Sequence, residues 1–199
     1  MTGRSPFQTV DLGKRTYQAL DLDHPEIVRD VTRDMDDGVA VYYDRRWGLT
    51  ERFCRFVLDR PELVEGRTVL VAGAGVGLEA VVIGSLAGRI IVNDLAPASL
   101  RLAARQLEEN GVRDFSVDLG LFQDVALDGV DLVIACFVVY NEETRDAMAQ
   151  LLRRAAGRGT PVILANEDVG SHFREALDGA AGPIETVAEF ERGRVVQVG

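Results

Sequence analysis

From Val69 to Ala80 the chain reads VLVAGAGVGLEA: an apolar run, three glycines at alternate positions, then helix-favouring residues from about Val76. A short run that is apolar throughout, rather than alternating, is a strand buried on both faces, as inside a parallel sheet. Gly73, Gly75 and Gly77 permit positive φ and let a ligand approach the backbone closely. The helix start behind them offers free N–H groups to an anionic or carboxylate-bearing ligand.

The pattern repeats along the chain. Arg89 to Asn93, Asp114 to Asp118, Val130 to Cys136 and Thr160 to Ala165 are further buried runs. Helices lie between them. Pro97 suits a first turn, Leu100, Ala103, Ala104 and Leu107 share one face, and Asn110-Gly111 is a stop. A later helix carries Met148, Leu151, Leu152 and Ala155 and ends at Gly157 and Gly159. Strand–helix–strand repetition implies right-handed βαβ units and a doubly wound, mostly parallel α/β sheet. After a helix near Ser171 to Leu177, Ile184 to Phe190 and Arg194 to Val198 flank a turn at Glu191 to Gly193, an antiparallel hairpin that closes the sheet.

Residues 1–60 read as an N-terminal extension packed on a core domain of residues 61–199. Pro25 opens a helix with Ile27, Val28, Val31 and Met35 on its apolar face, and Gly38 follows it. Val39 to Tyr43 is a candidate strand. Thr50 is a candidate cap for a helix carrying Phe53, Phe56, Val57 and Leu58.

The 199 residues carry 22 basic and 32 acidic side chains, a net charge of −10. That balance disfavours nucleic acid as a partner, since such affinity rests on Lys and Arg neutralising phosphates. Acidity serves solubility, or it draws in a cationic acceptor through Asp30, Asp34, Asp36 and Asp37. No apolar run reaches the ~18–20 residues of a membrane span, and the N-terminus has no charged-then-apolar signal layout. We therefore expect a soluble cytoplasmic protein that does not engage a membrane. Cys54, Cys136, His24 and His172 show no zinc, redox or disulfide spacing, so no metal is expected. Cys136 reads as a small buried hydrophobe.

A second signal accompanies the glycines. The run RIIVND ends on Asp94, ~20 residues further on, the offset of a ribose-binding acid. At a strand's C-terminal end this carboxylate can accept both ribose hydroxyls; it can also cap the helix opened by Pro97. Asp118 ends the third run, where such a sheet would seat an adenine amino group, or else it is a solvated loop aspartate. Dinucleotide enzymes favour G-x-G-x-x-G, which would need glycine in place of Leu78.

With G-x-G-x-G and RIIVND in this context, the chain resembles the class I, seven-β-strand S-adenosylmethionine-dependent methyltransferases. WGLTERFCRFVLDRPELVEGRTVLVAGAGVG and RIIVNDLAP, from Trp47 through Asp94 and just beyond, resemble their protein-lysine methyltransferase branch, the one that includes the electron-transfer-flavoprotein β-subunit lysine methyltransferase. The resemblance implies a Rossmann-like fold of seven strands and S-adenosylmethionine as cofactor. It places Gly73, Gly75 and Gly77 against the methionine part, Asp94 at the ribose, Asp118 at the adenine edge, and Trp47 over the cofactor near the acceptor entrance. Two positions depart from the pattern. Val71 stands where an acid is usual, and Phe137 replaces the aspartate that helps receive a lysine amine, with Tyr140 retained.

Open α/β sheets bind ligands at strand C-terminal ends, which nominates Phe137 beside the cofactor, Tyr140 as an acceptor-positioning hydroxyl, Asn166, and Glu167 as a general base. Tyr42 and Tyr43 are candidate lid residues. The reading is methyl transfer to a small molecule or protein side chain. Its rivals are a cofactor-binding module without transfer activity and a nicotinamide-dependent oxidoreductase, the latter opposed by Leu78 and the terminal hairpin.

Overall fold

In a computed structural model the protein is described over residues 4–44, 48–167 and 171–199. The chain opens with a two-stranded hairpin, β1 (Phe7–Asp11) and β2 (Thr16–Leu20), followed by helices α1 (Pro25–Asp36) and α2 (Thr50–Asp59). Then come β3 (Thr68–Ala72), α3 (Leu78–Gly84), β4 (Arg89–Asp94), α4 (Pro97–Glu109) and β5 (Phe115–Leu119). The second half runs β6 (Leu132–Cys136), α5 (Glu142–Ala156), β7 (Val162–Glu167), α6 (His172–Asp178), β8 (Ile184–Phe190) and β9 (Gly193–Val198).

Seven strands form one sheet in the order β5-β4-β3-β6-β7-β9-β8. From β5 to β7 all neighbours are parallel, and β9 runs antiparallel to both β7 and β8. The chain winds outward from β3 through β4 to β5, then returns to β6 on β3's other side. Strand order thus reverses between β3 and β6, where diverging loops leave a crevice at the C-terminal ends.

The unbroken apolar runs follow from helices on both faces. Val69, Val71 and Ile134 pack into one cluster with Phe53, Cys54 and Val57 of α2 and Ala80 to Ile83 of α3. Leu70, Ala72, Val133 and Ala135 point the other way, under Met148, Leu151 and Leu152 of α5 and Phe173 of α6. Truncating the fully buried Phe53 to alanine would cost about 3–5 kcal/mol.

The N-terminal region differs most from expectation. Val39 to Tyr43 is irregular, not a strand; Tyr43 is buried and its hydroxyl donates to Asp34 Oδ2 at 2.7 Å, so a side-chain bond shapes the segment where a ladder was expected. On α1, Ile27 and Asp34 are the buried residues, while Val28 and Met35 stand about half exposed at 45% and 50%. Thr50 is the first residue of α2 and not its cap, a place held by Leu49. The hairpin of β1 and β2 was not anticipated, although Gly13 with φ +88° makes its turn and Asp11 Oδ1 accepts the Gly13 N–H at 2.8 Å. Val10, Leu12, Tyr17 and Ala19 of this hairpin share the core cluster of β3 and α3. Among the described residues, no helix is long and apolar enough to cross a membrane and no group of three His, Cys, Asp or Glu could hold a metal.

Candidate functional site

A cleft of about 280 Å³ opens where the strand order reverses. Its floor is the bend after β3. Gly73, Gly75 and Gly77 adopt φ of +64°, +54° and +83°, which L-residues with side chains visit only at a cost. The glycines have different tasks. A Cβ on Gly73 would lie 2.7 Å from Val138 Cγ1, and one on Gly77 2.9 Å from Ala103 Cβ of α4. Gly73 and Gly75 line the cleft, whereas Gly77 lets α3 and α4 close together.

The bend is held from below. Ala74 N–H donates to the Asn93 carbonyl at 2.9 Å. Ser99 Oγ donates to the Gly75 carbonyl at 2.7 Å, and Gln106 Nε2 to the Val76 carbonyl at 3.0 Å. Gln106 also accepts the Leu20 N–H of β2 at 2.7 Å, and Asn110 pairs with both backbone groups of Gln18. Gln106 of α4 therefore ties the N-terminal hairpin to the cleft floor, and Asn110, which caps that helix, fastens the hairpin to its end. Asp34, one of the acids considered for attracting a cation, instead accepts from Tyr43 and from Ala98 N–H at 3.2 Å in the first turn of α4. Asp30 faces Arg33 at 3.4 Å.

Asp94 closes β4 and turns into the bend: Oδ2 accepts Gly75 N–H at 2.8 Å and Oδ1 accepts Ala96 N–H at 2.9 Å. Burial raises its pKa, and the N–H groups of Ala96 and Gly75 oppose that shift. Each oxygen keeps acceptor capacity toward the cleft, so capping and ligand binding are compatible. Asn93 donates its amide to the carbonyls of Asp118 and Gly120, at 3.1 and 3.0 Å, shaping the loop after β5. Its buried Oδ1 finds no donor among the described residues. Leu95 and Leu121, 52% and 42% exposed, are apolar walls on this side.

Opposite them, Phe137 follows β6 in the left-handed region with φ +57°, a conformation that a bulky residue keeps only where its surroundings impose it. Its N–H donates to the Ala165 carbonyl at 2.7 Å. Asn166 pins the next residues, accepting Val139 N–H and donating to Val139 O at 3.2 and 3.0 Å. The result brings Phe137, Val138 and Tyr140 to the cleft. Tyr140 meets Tyr42 with ring centroids 4.8 Å apart, and burial pushes its pKa up to about 12. Asn141 caps α5 in a reciprocal bond with Thr144.

Of the residues nominated from sequence, Gly73, Gly75, Asp94, Phe137 and Tyr140 line one cleft, and Tyr42 and Tyr43 line it too. Asp118, Gly77 and Glu167 are not among its lining residues. Asp118 contributes its backbone carbonyl to Asn93, and Glu167 Oε1 faces Gly48, 3.5 Å from where a Cβ would stand. Trp47 lies outside the described residues. Sequence reasoning missed Glu79, Glu143 and Thr50 as lining residues. Glu79 carried a signal, an acid inside the apolar first turn after the glycines. The described lining holds Glu79, Asp94 and Glu143 and no Lys, Arg or His. Burial raises the Cys54 and Cys136 thiols well above their ordinary range, which makes neither a ready thiolate.

Comparison with solved structures defines the class of fold. The chain superposes on the Thermus thermophilus 16S rRNA N2 G1207 methyltransferase, solved with AdoMet and guanosine, with a TM-score of 0.68 and 14% identity, over 96% of this chain and 49% of that one. The fold is that of the S-adenosylmethionine-dependent class I methyltransferases. In sequence the chain is 29% identical over 114 residues to the human electron transfer flavoprotein beta subunit lysine methyltransferase, covering 57% of this chain and 44% of that protein. It is 28% identical over 126 residues to zebrafish protein N-lysine methyltransferase METTL21A, covering 60% and 58%. The chain thus spans about half the length of the curated relatives it matches. No protein-family model matches it.

Proposed function

We propose that the protein transfers the methyl group of S-adenosylmethionine to an amine on a protein side chain or small molecule. One observation carries this reading: the Asp94 carboxylate is turned into the glycine bend, 2.8 Å from Gly75 N, at the point where the strand order reverses. The residues present suit the cofactor. Asp94 offers a carboxylate to a ribose diol, Leu95 and Leu121 offer apolar faces to a purine, and the buried Asn93 Oδ1 offers an acceptor. Asp118 remains a proposed partner for the adenine edge, through the loop whose backbone Asn93 holds.

When bound, the sulfonium supplies a methyl already activated for in-line displacement. The chain's task is to hold an acceptor about 3 Å from that methyl and exclude water. Val138, Phe137 and the Tyr42–Tyr140 pair enclose the far side, and Tyr140 presents a hydroxyl that positions the acceptor. A lining that is acidic among the described residues draws in an amine as its ammonium. Glu143 at the mouth takes that part here, where Phe137 cannot. Lysine is the acceptor named for the relatives, and we extend it to this chain as the leading candidate. We place the reaction in the cytoplasm, which the free thiols Cys54 and Cys136 fit.

Calorimetric titration with S-adenosylhomocysteine and with NAD tests the reading. Binding of S-adenosylhomocysteine alone is expected, and binding of NAD alone would remove it. Labelled methyl transfer to a panel of amines and lysine-rich proteins then separates an enzyme from a module that only binds.

A further inference from the structure

Glu79 sits in the first turn of α3 and lines the cleft beside Thr50 and Cys136. Burial raises its pKa, and the neighbouring Thr50 hydroxyl, its own backbone N–H and the Cys136 thiol oppose that shift. No cation among the described residues acts on it. Glu79 is partly buried, and a carboxylate drawn out of water in this way is stabilised when a positive group joins it.

The strand ends say which positive group. Asp94 closes β4, Gly73 follows β3 and Cys136 closes β6, on three adjacent strands. Two strand spacings, roughly 10 Å, separate the ends of β4 and β6. That is the reach of the amino-acid arm that S-adenosylmethionine extends from its ribose. Cys136 and Val71 belong to the sheet face covered by α2 and α3, so Glu79 brings a carboxylate to the face on which Val71 supplies none.

We propose that the Glu79 carboxylate receives the α-ammonium of the cofactor's amino-acid arm, with Thr50 and Cys136 orienting it. This rests on the methyltransferase reading above. The competing role is structural: Thr50 begins α2, and Glu79 could serve only to hold that helix end.

Calorimetry with two ligands separates these roles: S-adenosylhomocysteine, and 5′-S-(3-carboxypropyl)-5′-thioadenosine, which lacks only the α-amino group. The wild-type protein should prefer S-adenosylhomocysteine by roughly 10–100-fold, the range for a hydrogen bond to a charged group. Glu79→Gln should lose that preference while binding the deaminated ligand as the wild type does. Equal binding of both ligands by the wild type, which requires no variant to fold, overturns the proposal. So does a Glu79→Gln protein with its melting temperature intact and its preference unchanged. In both of those cases the methyltransferase reading survives. Failure of the wild type to bind either ligand overturns both.

Discussion

The two ends of the cleft are built differently. At the β4 end, polar side chains are fixed by backbone groups: Asp94 accepts the N–H groups of Gly75 and Ala96, and Asn93 donates to the carbonyls of Asp118 and Gly120. At the β6 end, the walls come from side chains far apart in the chain. Tyr42 meets Tyr140, Glu79 meets Thr50 and Cys136, and Phe137 holds a left-handed backbone. A backbone-built end suits a group that is always the same, such as a nucleoside. A side-chain-built end can be altered without disturbing the sheet, and there the Tyr42–Tyr140 wall, as distinct from the Glu79 cluster proposed for the cofactor's amino-acid arm, is where the choice of acceptor would be made.

If the first end is rigid, the largest effect should follow from filling its floor. Gly77→Ala places a Cβ 2.9 Å from Ala103 Cβ and 3.2 Å from its Cα, in a backbone at φ +83°. Left-handed strain and overpacking together predict a loss of about 2–4 kcal/mol in unfolding free energy, measured by urea denaturation. A loss below about 1 kcal/mol would show that the bend yields, and the contrast between the ends would soften.

Next in size is the ligand term. Asp94→Ala should weaken S-adenosylhomocysteine binding by roughly 1–3 kcal/mol while the protein still folds, read by calorimetry beside a melting curve. An unchanged affinity would move the ribose seat elsewhere. Tyr43→Phe probes the strap between the ends. Removing the hydroxyl that Asp34 accepts should cost about 1 kcal/mol of stability and leave affinity nearly unchanged, since Asp34 still accepts from Ala98 N–H.

The same contrast explains what could be read from sequence. The sheet, its terminal hairpin and the Met148, Leu151, Leu152 and Ala155 face of α5 follow from local periodicity, because helices on both faces make strands uniformly apolar. Gly73, Gly75 and Asp94 come together because one strand–helix–strand unit holds them. Tyr43 misled as a strand residue because its apolar neighbours imitate one, while its bond to Asp34 depends on where α1 lies. Asp34 looked like a free surface acid for the same reason: its partner, the start of α4, is 64 positions away. Glu79 stood in plain view, but an acid in a first helical turn is ordinarily a solvated one favoured by the helix dipole. The packing of α2 and β6 against α3 is what partly buries it.

The smallest effect expected lies at the variable end and concerns what Tyr140 does. Burial holds its hydroxyl near a pKa of about 12, so it stays protonated at any pH where the protein would be assayed and acts as a donor, not a base. Tyr140→Phe should then lower the methyl-transfer rate by about threefold, under about 1 kcal/mol, mainly through KM for the acceptor. The shape of the pH–rate profile from pH 6 to 10 should not change. An acceptor amine must still shed its proton, and that ionisation belongs to the amine and to the acids around it, so it persists in the variant. If the profile instead lost a limb near pH 10, Tyr140 would be ionising in catalysis, and the β6 end would be doing proton chemistry in addition to shaping the pocket.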